Sequence, residues 1–219
     1  MRETRPDPVW MQKIKKGMKV FDFPSRIPTD GFNEIHDLLH TIKDRPKSEN
    51  IIIGIDGLDG VGKSYLAKEL SEGLDAKMIE LDEFLIKQQG IYVDSLRLDD
   101  LEKEIAQRKC SVIVEGVCLL DAMEKVGQQL TILIYIKKVA DYGIWHDKET
   151  CDPTDGAEDV INRKELGLQR FIELQLEEGH ELSADEQNPS LSTLTKELIR
   201  YHDQYRPSLR ADYIFNRKV

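Results

Sequence analysis

The chain has 219 residues, 40% of them hydrophobic, enough for one substantial core and too little for two large domains. With 31 Lys and Arg against 41 Asp and Glu, its formal net charge is −10, which argues against a surface built to grip a nucleic-acid polymer; small anions held by a local cluster of donors stay within reach. Cys110, Cys118 and Cys151 lack the close pairing of a zinc site or a disulfide framework and read as reduced, mostly buried thiols.

No apolar run approaches the roughly 18 residues that span a bilayer, and the basic N-terminus is not followed by an apolar signal region, so the expectation is a cytoplasmic protein that does not engage a membrane. Residues 1–30 hold four of the eight prolines and no sustained period, an irregular lead-in with a short strand at Lys19 to Phe23. Phe32, Ile35, Leu39 and Ile42 recur at helical spacing, and Arg45-Pro46 ends that helix. Residues 1–50 are therefore read as an N-terminal extension with one helix, either capping a sheet edge or serving a dimer contact. Whether the chain forms a homo-oligomer stays open.

Ile51 to Asp56 is a β-branched run without alternation, as in a strand buried on both faces. Glycines follow, then a helix marked by Leu66, Leu70 and Leu74. Lys77 to Leu81 reads as a strand, Ser95 to Arg108 as a helix, Ser111 to Glu115 and Leu130 to Ile136 as strands. This alternation favours right-handed crossovers and a parallel sheet covered on both sides. Beyond residue 140 the pattern turns helical and acidic, with Ile161, Leu168, Phe171 and Leu176 on one face and Leu194, Leu198, Tyr201 and Tyr205 on another. Residues 179–190 read as a mobile loop and Ala211 to Asn216 as a last strand.

Between the first buried strand and its helix, Gly57-Leu-Asp-Gly60-Val-Gly62-Lys63-Ser64 fits G-x-x-x-x-G-K-[ST]. Glycine permits positive φ and lets backbone N–H groups approach phosphates without a Cβ between, while the following helix points its positive dipole end at the same place. The expected nucleotide contacts run from Gly57 through Asp59, Gly60, Val61, Gly62, Lys63 and Ser64 to Tyr65. Lys63 reaches the β- and γ-phosphates of ATP, and the Ser64 hydroxyl ligates Mg²⁺.

Transfer of a phosphoryl group needs a side chain that takes the acceptor's proton at the carboxyl ends of the strands. Asp82 in "KMIELDEF", immediately after the second strand, stands where that base belongs, although Asp also caps turns. Glu115 ends "SVIVEG", placed to hold Mg²⁺ through water or to orient the acceptor, or else to bind neighbouring amides, and Gly116 after it marks a sharp turn or a close backbone approach.

The glycine loop, "LDEF", "SVIVEGVCLL" and the ending "YHDQYRPSLRADYIFN" together resemble the uridine kinase group of P-loop kinases, which includes relatives acting on phosphoribulose and pantothenate. The likeness covers roughly residues 50–136 and 194–216. It implies an α/β P-loop NTPase fold, a three-layer sandwich whose five-stranded parallel sheet is flanked by helices, with 51–219 as the kinase domain and a helical C-terminal lid at about 140–190. It also implies Asp82 as catalytic base, Glu115 as the acidic residue near Mg²⁺ and acceptor, and Gly57 to Ser64 as the ATP loop.

Two departures accompany the likeness. "GIYVDSLRL" at 90–98 has Ile91 and Tyr92 where an acceptor loop's Asp and His are expected. In place of an arginine-rich lid, 141–171 holds only Lys148, Arg163, Lys164 and Arg170 as basic residues. Arg163 and Arg170, about two helical turns apart, are the lid candidates for gripping phosphate; ordinary ion pairs on an acidic helix are the other reading. Trp145 and His146 read as a packed ring beside a surface side chain, or as a cover for a base. The expected activity is ATP-dependent phosphorylation of a small hydroxyl-bearing metabolite; the rival is a non-catalytic nucleotide-binding regulatory module whose acidic helices engage a protein.

Overall fold

The structure is a computed structural model and describes residues 29–45, 50–86, 90–183, 186 and 189–218. The expected strand at Lys19 to Phe23 lies outside these residues, as does part of the 179–190 segment.

The buried run read between residues 51 and 56 forms β2 (Ile52–Asp56), every residue of it buried. Around it assemble β3 (Lys77–Glu80), β4 (Val112–Glu115), β5 (Ile132–Val139) and β6 (Tyr213–Lys218). The sheet has six strands rather than the five expected. Thr29–Phe32 forms β1 and lies parallel to β6, so the order is β1-β6-β5-β2-β4-β3 with every pair parallel. Phe32 thus belongs to an edge strand and not to the helix: its ring packs edge-on against Tyr213, centroids 5.6 Å apart, which the helical spacing alone could not reveal.

Helices cover both faces, as parallel strands require. On one, α1 (Ile35–Lys43) and α2 (Lys63–Leu74) bring Leu38, Ile42, Leu66 and Leu70 against Ile53, Ile55 and Ile134. On the other lie α3 (Leu98–Ala106), α4 (Leu119–Lys125), the short α5 (Lys148–Cys151) and, after α6 (Ala157–Glu177), which packs on its neighbour rather than on the sheet, α7 (Thr193–Tyr205). Leu101, Leu119, Leu133, Tyr135, Leu198 and Tyr201 share that second cluster. α4 is short and begins after Cys118 in a left-handed conformation, φ 52°, so no period announced it. A last turn, α8 (Pro207–Arg210), leads into β6.

The buried residues of α6 all lie at its start. Ala157, Val160 and Ile161 pack against Ile199, while Phe171, Leu174 and Leu176 further along are exposed. Cys118 and Cys151 are buried thiols and Cys110 an exposed one. Among the described residues no helix is long and apolar enough to cross a membrane.

Candidate functional site

β2 ends in Asp56, whose fully buried carboxylate is spanned by three elements. Its Oδ1 accepts the Gly57 N–H at 2.7 Å, and its Oδ2 accepts the Tyr201 hydroxyl from α7. The Tyr201 oxygen in turn accepts the Leu120 N–H of α4 at 3.1 Å. Burial pushes the Asp56 carboxyl up to about 7, against the pull of Tyr201, the Gly57 amide and Lys63. The root of the glycine loop is thereby pinned from inside the core.

The loop itself needs its glycines at two places above all. Gly57 (φ 155°) leaves only 3.1 Å between the site of an added Cβ and the Ile136 carbonyl of β5, and Gly62 (φ 92°) is the left-handed residue that starts α2. Asp59 Oδ1 accepts the Gly60 N–H at 2.8 Å and shapes the turn, while Val61 is buried in the α1/α2 core and anchors it. No side chain caps α2 and no acidic residue occupies its first turn, so its leading amides and dipole end are presented outward, an arrangement suited to an anion. Lys63 is buried and donates to the Leu58 carbonyl at 2.8 Å; Tyr65, two residues on, is exposed.

Parallel register sets what stands beside this loop. Ile55 of β2 and Glu80 of β3 are both level with Glu115 of β4, so the carboxyl ends of three neighbouring strands meet. Ser64 Oγ donates to Glu115 Oε1 at 2.6 Å. Burial raises the Glu115 carboxyl; Ser64 and Lys63 draw it back, and the charges of Glu80 and Asp82 raise it further. Gly116 answers to close approach: an added Cβ would stand 2.6 Å from Leu81, the residue that seats the turn carrying Asp82.

Asp82 lies in a 3-10 turn (Leu81–Phe84) directly after β3. Its Oδ1 accepts the Tyr92 hydroxyl at 2.5 Å. Tyr92 is itself held, for its N–H and that of Val93 donate to the Glu197 carboxylate of α7 at 2.7 and 3.3 Å. Burial and then the Asp82 carboxylate keep the phenol far above its usual pKa, a firm donor.

Ser64 and Glu115 are oxygen donors of the kind Mg²⁺ accepts when it takes one or two protein oxygens and fills its remaining positions with water and phosphate. Among the described residues no group of three or more His, Cys, Asp or Glu side chains is arranged to hold a metal.

The two lid candidates are not among the loop's hydrogen-bond partners. Arg163 pairs with Glu149 and, at 3.4 Å, with Asp155, and Arg170 is exposed on the same helix. The guanidinium that does touch the loop is Arg217 on β6, whose Nη1 donates to the Gly60 carbonyl at 3.3 Å. Its signal in the sequence was slight, a basic residue just past the expected last strand. Trp145 is partly buried with the Lys137 ammonium 4.2 Å from its ring centroid, and His146 is exposed.

No protein-family model matches the chain, and no curated protein matches it in sequence. Solved structures resemble it remotely. One described as a possible uridine kinase from Bacillus stearothermophilus has a TM-score of 0.49 at 16% identity, covering 83% of this chain and 96% of that one. A shikimate kinase from Bacteroides thetaiotaomicron has a TM-score of 0.34 at 19% identity over 76% of this chain and 85% of its own. A sugar kinase from Janibacter sp. HTCC2649 has a TM-score of 0.32 at 14% identity over 73% and 98%. Likenesses this remote leave the activity to be read from the site.

Proposed function

We propose that this protein transfers the γ-phosphoryl group of ATP to a hydroxyl of a small metabolite. One observation carries the reading: the Ser64–Glu115 hydrogen bond, the Asp82 turn and the uncapped start of α2 gather at the carboxyl ends of three adjacent parallel strands. Binding alone would need only the loop. The carboxylates beside it supply what a transfer requires.

In this reading the amides of residues 60–65 and Lys63 hold the phosphates. The ammonium of Lys63 keeps donors to spare beyond the one given to Leu58. Asp82 has one oxygen occupied by Tyr92 and offers the other to the acceptor hydroxyl, taking its proton as the oxygen attacks the γ-phosphorus and ADP leaves. Mg²⁺, held at Ser64 and through water at Glu115, would neutralise charge on the phosphate oxygens.

The sequence likeness to the uridine kinase group suggests nucleosides, vitamin precursors and sugar derivatives as acceptors to try. With Tyr92 committed to Asp82 and Glu197, the acceptor pocket differs from one built around an Asp-His pair. The test is ADP release from Mg·ATP with such a panel. Acceptor-dependent ADP supports the reading. Tight Mg·ATP binding with no acceptor-dependent ADP across the panel would instead favour a nucleotide-binding module, and the exposed Phe171 and Leu174 of α6 would then mark where a protein docks.

A further inference from the structure

We infer that Arg217 is a ligand of the nucleotide's phosphate chain, clamping it from the β6 side of the loop; the inference rests on the proposed function and adds a residue to it. Side chains alternate along β6. Tyr213 and Phe215 belong to the core shared with α1 and α2, whereas Ile214 packs on the opposite face. Arg217 continues the first row and arrives at the start of α2, where the anion site lies. Asn216 and Lys218 flank it on the other face.

Its guanidinium fills the space that a side chain at Gly62 would take. A Cβ built on Gly62 would lie 2.6 Å from Arg217 Nη1 and 3.2 Å from Cζ. The bare backbone at 62 therefore admits the arginine as well as permitting the left-handed turn. The contact made there is to a neutral carbonyl, Gly60, at 3.3 Å, a weak partner for a cation whose planar fork suits phosphate oxygens.

Charge favours a binding role over a purely structural one. In a chain of formal charge −10, arginines readily find carboxylates: Arg163 has Glu149 and Asp155, Arg200 has Glu158, and Arg206 has Asp152 and Asp203. Among the described residues no carboxylate pairs with Arg217. A cation kept apart from acids, on the rim of an amide-lined cradle, supplies the second positive charge that Lys63 alone cannot, and it takes the place left open when Arg163 pairs elsewhere.

Calorimetric titration with Mg·ATP and with Mg·tripolyphosphate, which lacks base and sugar, tests this. Arg217→Ala should weaken both by roughly tenfold, and Arg217→Lys, which keeps charge without the fork, should fall between. Lys218→Ala, removing an equal charge one residue along, should leave both unchanged. The inference is overturned if Arg217→Ala binds both like wild type, if Lys218→Ala weakens them equally, or if only ATP is affected, since the arginine would then meet base or sugar. A wild-type protein that binds ATP but no tripolyphosphate also overturns it, while one that binds no Mg·ATP removes the proposed function itself.

Discussion

The phenol of Tyr92 donates to Asp82 Oδ1 at 2.5 Å, and the backbone of the same tyrosine hangs on Glu197 of α7. A side chain proposed as a proton acceptor is thus fixed by a donor that is fixed in turn from across the sheet's helical layer. Holding one carboxylate oxygen sets where the other points, and orientation of a base is worth rate rather than nucleotide affinity.

Tyr92→Phe, which keeps the ring and removes the donor, should therefore lower kcat by about tenfold with KM for Mg·ATP essentially unchanged. Steady-state kinetics over both substrates check it. An unchanged kcat, or a loss confined to KM for ATP, would contradict the positioning role.

Glu115→Gln retains an oxygen to accept from Ser64 and discards the charge. The Mg²⁺ concentration giving half-maximal turnover should rise by about tenfold, as should that of Ser64→Ala, because each loses an oxygen of the kind hard cations prefer or its negative charge. Magnesium titrations of initial rate at saturating ATP provide the readout, with wild-type magnesium dependence in both variants as the opposing result.

Gly62→Ala meets two obstacles, a φ of 92° and the Arg217 guanidinium. The steric one is soft, since a long side chain can swing aside; the backbone strain is not, and costs of order 1–3 kcal/mol. Thermal unfolding should show a loss of that size, and pairing Gly62→Ala with Arg217→Ala should recover only the small steric part in a double-mutant cycle. Full recovery would mean that the conformation at 62 costs nothing.

Two buried groups give opposite pH dependences. Asp56 is raised from 3.8 to about 7 by burial, so the folded chain holds a proton there that the unfolded chain has lost; its contribution is greatest below pH 4 and disappears as pH rises to 7. His202 is lowered from 6.5 to about 4 by burial. Its Nδ1–H donates to the Leu198 carbonyl and its Nε2 accepts the Tyr135 hydroxyl, and the stability of this neutral ring is lost as pH falls from 6.5 toward 4. Each unit of separation between the two states is worth about 1.4 kcal/mol. Denaturant unfolding at several pH values should find that Asp56→Asn removes a falling component between pH 4 and 7 and His202→Gln a rising one between pH 4 and 6.5; parallel curves for variant and wild type would refute either assignment.

How far the sequence foretold this arrangement depends on whether a feature was local. The buried strand, the glycine loop and the helix behind it were legible because each residue type there answers to backbone geometry within a few positions. Asp82 and Glu115 could be placed at strand ends, but not their partners. Tyr92 reaches Asp82 across ten residues and Ser64 reaches Glu115 across 51, distances at which spacing is silent. β1 escaped because Phe32 fits a helical period and its partner Tyr213 lies far along the chain. The seven-residue spacing of Arg163 and Arg170 was real, yet Glu149 and Asp155, on other elements, decide what Arg163 does. Arg217 was missed for the reverse reason: a strand-end arginine gains meaning only when β6 is seen to carry it to Gly60 and Gly62.

Everything proposed here turns on Asp82 serving as the base for an acceptor placed beyond the γ-phosphate, and Asp82→Asn examines that most directly. Single-turnover phosphorylation of an acceptor identified from the panel, measured beside calorimetric Mg·ATP affinity, should show a rate lower by roughly a hundredfold or more with affinity close to wild type. Phosphorylation by the asparagine variant at the wild-type rate would contradict the account.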